Sequence, residues 1–177
     1  MVTFLGPPGA GKTTQAHRLA ARLCGSVVSI GELLRKSELE HSIATEIRSG
    51  RFVSDQLACD TLANEVRGVA GPILLDGFPR TSYQAERLGD IDPRLRGCSV
   101  VVLDVPNYEL LHRLTRRSLE QERLDDEPEA IQERIRLYSD HVDAVLTRCR
   151  ERGHTIFRIP GSGSADAVEL LILEHLR

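Results

Sequence analysis

Short apolar runs alternate with longer segments of helical period along this chain. Val2 to Leu5 reads as a buried strand, closed by a Gly/Pro-rich stretch over 6–11. Beyond it, Ala16, Leu19, Ala20 and Leu23 recur on one helical face. A second strand, Val27 to Ser29, leads into a helical region from about Glu32 to Arg48. Ser54 and Asp55 predict the cap of a further helix, whose buried face carries Leu57, Leu62 and Val66. The run 72–76 is a strand ending in Asp76, and Ser99 to Asp104 is another that ends in an acid. A helix over Tyr108 to Arg117 and a polar connector over 118–127 follow. After Pro128, the residues Ile131, Ile135, Tyr138, Val142, Val145 and Cys149 recur at helical steps, which predicts one long helix with a continuous buried stripe. Thr155 to Ile159 is the last strand, and Ala165 to Leu176 the closing helix.

Strands separated by helices predict an α/β fold, with five parallel strands covered on both faces. Such sheets bind ligands at the carboxyl ends of their strands. The glycine-rich loop, Asp76 and Asp104 all follow strands at that edge. No repeat, low-complexity segment or linker divides the sequence, and 1–177 is expected to be one domain.

Composition narrows the function classes. A hydrophobic share of 41% against 28% charged residues is that of a globular domain rather than a disordered chain. The longest apolar runs, such as Val100 to Leu103, are far too short to span a bilayer. The chain enters its first strand at Val2, which leaves no room for a secretory leader, so a cytoplasmic protein is expected. Cys24, Cys59, Cys98 and Cys149 are widely spaced and form no zinc pattern. A net charge of -3 gives no general attraction to nucleic acid or to a membrane surface. Lys12 and Lys36 are the only lysines, and one of them sits inside the glycine loop.

That loop, Gly6-Pro7-Pro8-Gly9-Ala10-Gly11-Lys12-Thr13, fits GxxxxGK[ST] between a strand and a helix. Glycines let backbone N–H groups turn inward onto phosphate oxygens, and the helix adds the positive end of its dipole. The Lys12 ammonium can reach β- and γ-phosphates, and the Thr13 hydroxyl can ligate magnesium. The loop alone leaves kinase, GTPase and ATPase open. A GTPase would carry an Asn-Lys-x-Asp guanine reader, and neither lysine sits in one.

Five ordered blocks resemble the adenylate kinase family of nucleoside monophosphate kinases, from Val2 to about Val168. They are Gly-Pro-Pro-Gly-Ala-Gly-Lys-Thr-Thr-Gln (6–15), Val-Ser-Ile-Gly-Glu-Leu-Leu-Arg (28–35) and Leu-Asp-Gly-Phe-Pro-Arg-Thr-x-x-Gln (75–84), then Asp-Val-Pro with Arg113 and Arg117, and Arg-Leu-Asp-Asp (123–126) with Arg134. The resemblance implies a P-loop α/β/α kinase with a helical monophosphate-binding lobe over 30–60 and a short lid over 117–127. It implies ATP held by Gly9, Ala10, Gly11, Lys12, Thr13, Thr14, Arg113 and Gly163. The monophosphate would meet Ile30, Arg35, Val53, Gly77, Arg80 and Gln84, with Arg80 on its phosphate and Gln84 on its base. Lys12, Arg80, Arg117, Arg123 and Arg134 would stabilise the phosphoryl group in flight, and no catalytic base is required. Magnesium is the implied cofactor, held by Thr13 and, through water, by Asp76 and Asp104; each Asp has the alternative role of capping a turn. A monomer is expected.

Four features depart from the family pattern. Ile30 stands where a threonine usually touches the monophosphate, the segment 36–49 is short, Thr13 replaces a glycine, and 117–123 lacks the lid's glycines. AMP is the favoured acceptor because Gln84 is retained. The alternatives are a P-loop kinase for another nucleotide-like metabolite and a non-catalytic nucleotide-binding regulator.

Overall fold

The computed structural model describes residues 1–36, 41–121 and 127–176. Among them are the strands β1 (Val2–Leu5), β2 (Ser26–Ser29), β3 (Ile73–Asp76), β4 (Ser99–Asp104) and β5 (Thr155–Pro160). The helices are α1 (Lys12–Leu23), α2 (Ile30–Lys36), α3 (His41–Arg48), α4 (Asp55–Arg67), α5 (Ser82–Ile91), α6 (Asn107–Gln121), α7 (Pro128–Glu151) and α8 (Ala165–His175). The strands form one parallel sheet in the order β2-β3-β1-β4-β5.

Strand side chains alternate between the two faces of a sheet, and here both faces are apolar. Phe4, Leu74, Val101 and Leu103 point one way, onto Leu19 of α1 and Ile172 of α8. Leu5, Leu75, Val100 and Val102 point the other way, onto Leu62 of α4, Leu88 of α5 and Val145 of α7. Burying each such side chain contributes about 1.5–3 kcal/mol relative to exposure. Ser54, Thr81 and Ser164 cap α4, α5 and α8 through their side-chain oxygens, which satisfies a backbone N–H in each first turn.

The order of the strands positions the site. The chain leaves β1 through α1 on one face and leaves β3 through α5 on the other. β1 and β3 are neighbours, so a crevice opens at their carboxyl ends. There the Gly77 N–H donates to the Phe4 carbonyl over 3.1 Å and joins the two strand ends.

Four details differ from the sequence expectations. The helical region from Glu32 is two helices, with α2 starting at Ile30 and ending at Lys36, and α3 starting at His41. α6 continues to Gln121 because 118–121 contains neither Gly nor Pro to stop it, and so the first part of the expected connector is helical. Leu23 is 44% exposed; it falls in the last turn of α1, just before Cys24 ends the helix at φ 50°. The stripe on α7 is buried at Ile131, Val145 and Cys149 but only half-buried at Ile135, Tyr138 and Val142. Tyr138 faces a small cavity beside Pro8, Lys12 and Phe52, and Val142 lies between that cavity and the edge of the core. No helix among the described residues is long and apolar enough to cross a membrane.

Candidate active site

The loop after β1 is shaped by its glycines. Gly9 and Gly11 have φ of 83° and 92°, a region that glycine enters without strain. A Cβ on Gly9 would meet Leu114 Cγ at 3.0 Å and the Leu110 carbonyl at 3.2 Å, so α6 lies directly on the loop. The Lys12 ammonium donates to the carbonyls of Gly6 and Pro7, both over 2.8 Å. Burial lowers its pKa from 10.5 to about 7; Asp76 opposes this, while Arg80, Arg134 and Arg117 add to it. A phosphate beside such a group favours its charged form.

Asp76 ends β3, opposite Phe4 of β1, and is 6% exposed. Thr13 Oγ1 donates to Asp76 Oδ2 over 2.6 Å, and Ser29 Oγ donates to the same oxygen over 3.1 Å. The start of α1 and the ends of β2 and β3 therefore bring three oxygen groups to one point. Asp104 does not join them. Its two oxygens accept from Arg158 Nε and Nη2, both over 3.0 Å, on the exposed end of β4.

On one side of this point stand Arg80 and Arg35. Arg80 follows the cis Phe78–Pro79 bond, and its Nε donates to the Gly77 carbonyl over 2.8 Å. Its guanidinium also lies 5.7 Å from the ring centroid of Phe52, a cation–π contact. A side chain at Gly31 would begin 3.3 Å from Arg35 Nη1 and 3.6 Å from Arg80 Nη2, so the two guanidinium groups converge over this glycine. A cavity beside them is lined by Ile30, Leu34, Ile47, Val53, Phe78 and Gln84. Ile30 is buried there, and Gln84 is 2% exposed.

On the other side Arg113 reaches from α6 over Gly9. It donates to Glu109, to the Gly161 carbonyl over 2.9 Å and to the Gly9 carbonyl over 3.5 Å. Ser162 Oγ donates to Glu109 over 2.7 Å, and these two bonds hold the Glu109 pKa below its usual value, the serine bond first. Arg117 and Arg134 line the same cleft, of about 620 Å³, as do Ala10, Gly11, Thr14 and Gly163. Arg123 lies outside the described residues.

Lys12 and six arginines line that cleft against the carboxylates of Asp76 and Glu109. In a chain of net charge -3, such a concentration of cations makes the cleft a site for a polyanion. Sequence reasoning did not find Phe52, Glu109 or Arg116 here. Glu109 and Arg113 are four apart on a helix, a spacing from which their pairing is legible. Arg116 is exposed and lines the cleft, whereas Arg136 pairs on the surface, with Glu133 and Asp140.

A phosphate loop at the switch point of a parallel sheet, facing arginines on two sides, defines a P-loop phosphotransferase. The family model described as adenylate kinase matches residues 4–154. The adenylate kinase of Stenotrophomonas maltophilia is 35% identical over 185 residues, covering 99% of this chain and 98% of that protein. The adenylate kinase of Thermus thermophilus is 36% identical, covering 94% of this chain and 91% of its own length. That of Kocuria rhizophila is also 36% identical, at 98% and 96% coverage. The chain belongs to the adenylate kinase family and is a nucleoside monophosphate kinase.

Proposed function

We propose that this chain transfers the γ-phosphoryl group of ATP to AMP, giving two ADP, with both nucleotides bound in one cleft. The observation that carries this reading is the convergence at Gly77. A side chain there would begin 3.2 Å from Arg80 Nη2 and 3.8 Å from Lys12 Cε. A donor-side and an acceptor-side cation thus approach the same spot.

In this reading the backbone of Gly9, Ala10, Gly11 and Thr14 cradles the donor phosphates, and Lys12 meets the β- and γ-oxygens. Arg113, locked by three acceptors, forms a flat surface for the donor base near Gly163. Arg35 and Arg80 grip the acceptor phosphate, while Ile30, Val53, Gly77 and Gln84 form the wall around its nucleoside. Arg117, Arg123 and Arg134 close over the transferring group. The apolar Ile30 contributes surface to this pocket rather than a hydrogen bond.

Thr13 and Asp76 suit magnesium, since both are hard oxygen donors already in contact. Asp76 would act through water. When bound, the ion neutralises charge on the β- and γ-oxygens. Among the described residues no group of three or more His, Cys, Asp or Glu side chains is placed to hold a metal. Residues 30–60 serve as the monophosphate-binding lobe and 117–127 as a short lid, which excludes water when closed. The free thiols of Cys24, Cys59, Cys98 and Cys149 suit a reducing cytoplasm, where we place the enzyme as a monomer.

The test is an acceptor screen with ATP and magnesium. AMP is expected to give the highest kcat/KM among the nucleoside monophosphates. A protein indifferent to AMP but active on another acceptor overturns the assignment.

A further inference from the structure

The side-chain amide of Gln84 is held at both ends. Its Oε1 accepts from the backbone N–H of Arg80 over 2.7 Å, and its Nε2 donates to Asp55 Oδ1 over 2.8 Å. The same Asp55 oxygen accepts from Thr81 Oγ1 over 2.8 Å, and Thr81 Oγ1 in turn accepts from the Gln84 backbone N–H over 3.2 Å. These bonds tie the start of α4 to the start of α5 around one glutamine.

The chemistry of the partners allows only one amide orientation. A backbone N–H can only donate, and a carboxylate only accepts. The reversed amide would set NH₂ against the Arg80 N–H and oxygen against Asp55. Both contacts would be repulsive at a residue that is 2% exposed. What remains on the amide is one N–H and one lone pair, in fixed order, at the wall of the acceptor cavity.

We propose that Asp55 is a positioning residue for acceptor specificity: by fixing the Gln84 amide it selects adenine over 6-oxopurines. Adenine presents an amino donor beside a ring-nitrogen acceptor, whereas hypoxanthine and guanine present a carbonyl acceptor beside an N–H donor. An amide free to turn over serves either edge; a locked one serves one. The purine cannot exchange its own edge positions, because Arg35 and Arg80 hold its phosphate end. The inference rests on the reading that Gln84 meets the acceptor base.

The experiment compares kcat/KM for AMP and IMP, with ATP and magnesium, in wild type and in Asp55→Ser, Asp55→Asn and Gln84→Met. Asp55→Ser is expected to lower the AMP:IMP ratio about tenfold or more, by raising KM for AMP and lowering it for IMP while KM for ATP stays put. Asp55→Asn keeps an oxygen that accepts from Gln84 and Thr81, and is expected to hold the ratio near wild type. Gln84→Met should collapse it. If Asp55→Ser retains the wild-type ratio while Gln84→Met collapses it, Asp55 is not the positioning residue, the Arg80 N–H being enough to hold the amide, and the Gln84 reading stands. If Gln84→Met also leaves the ratio unchanged, both fail. Should Asp55→Ser not fold, NMR relaxation of the wild-type Gln84 side chain decides. An Nε2 order parameter near about 0.85 supports the lock, and one below about 0.6 overturns it.

Discussion

Thr13 Oγ1 donates to Asp76 Oδ2 over 2.6 Å, which ties the helix after the glycine loop to the end of the neighbouring strand. The bond exists because β1 and β3 are adjacent while their following helices lie on opposite faces. Sheet topology thus brings together a hydroxyl and a carboxylate 63 residues apart in the chain.

Removing the hydroxyl should weaken the use of magnesium without unfolding the protein. Thr13→Val is expected to raise the magnesium concentration needed for half-maximal rate by about 10–100-fold. A magnesium titration of ADP formation checks this. An unchanged midpoint would show that Thr13 plays no part in holding the ion.

Arg80 is anchored to its own loop by the bond to the Gly77 carbonyl and by Phe52. Arg80→Ala should therefore affect the acceptor far more than the donor. Loss of a charge-assisted contact worth about 1.5–3 kcal/mol corresponds to roughly a 10–150-fold fall in kcat/KM for AMP. Calorimetric binding of ATP should change little. Equal losses for both nucleotides contradict the assigned side.

Gly50 has φ of 77°, and a Cβ there would meet the Ala130 carbonyl at 2.4 Å, where α7 begins. Neither the backbone angle nor the helix can yield cheaply. Gly50→Ala is expected to cost about 1–3 kcal/mol, read as a lower denaturant midpoint. An unchanged midpoint means that the segment 49–53 does not pack against α7 as described.

His154 is 6% exposed, with Nδ1 lying 3.1 Å from Cys98 Sγ. Burial lowers its pKa, a hydrogen bond with the Cys98 backbone opposes the shift, and Arg152 adds to it. A lowered folded value means that the unfolded chain binds the proton more readily. The stability from neutral His154 is complete above about pH 6.5 and is lost as pH falls below it. The Tm of wild type should fall more steeply from about pH 7 to 5 than that of His154→Gln. Parallel profiles would remove His154 from the account.

Much of this was legible in the sequence because local chemistry and tertiary structure agree. β4 spans Ser99–Asp104 as its apolar run predicts, and Ser54 caps α4 as its position before an amphipathic segment predicts. The glycine loop precedes a helix that starts at Lys12. What escaped the sequence depends on neighbours remote in the chain. Asp104 resembles Asp76 as an acid that closes a strand, yet Arg158 on the adjacent β5 takes up both its oxygens. Tyr138 continues an apolar stripe, but the helix carries it past the core to a cavity beside Lys12 and Arg80. Asp55 reads as part of a helix start, and only the fold shows its carboxylate bound to Gln84.

In the proposed arrangement two nucleotides lie in line across Gly77, one on the glycine loop and one against Arg80. A dinucleotide carrying two adenosines joined by a phosphate chain long enough to fill both sites tests it most directly. Steady-state inhibition should be competitive against ATP and, separately, against AMP, with calorimetry giving one molecule bound per chain. Competition with only one of the two nucleotides, or binding of two molecules per chain, would contradict the account.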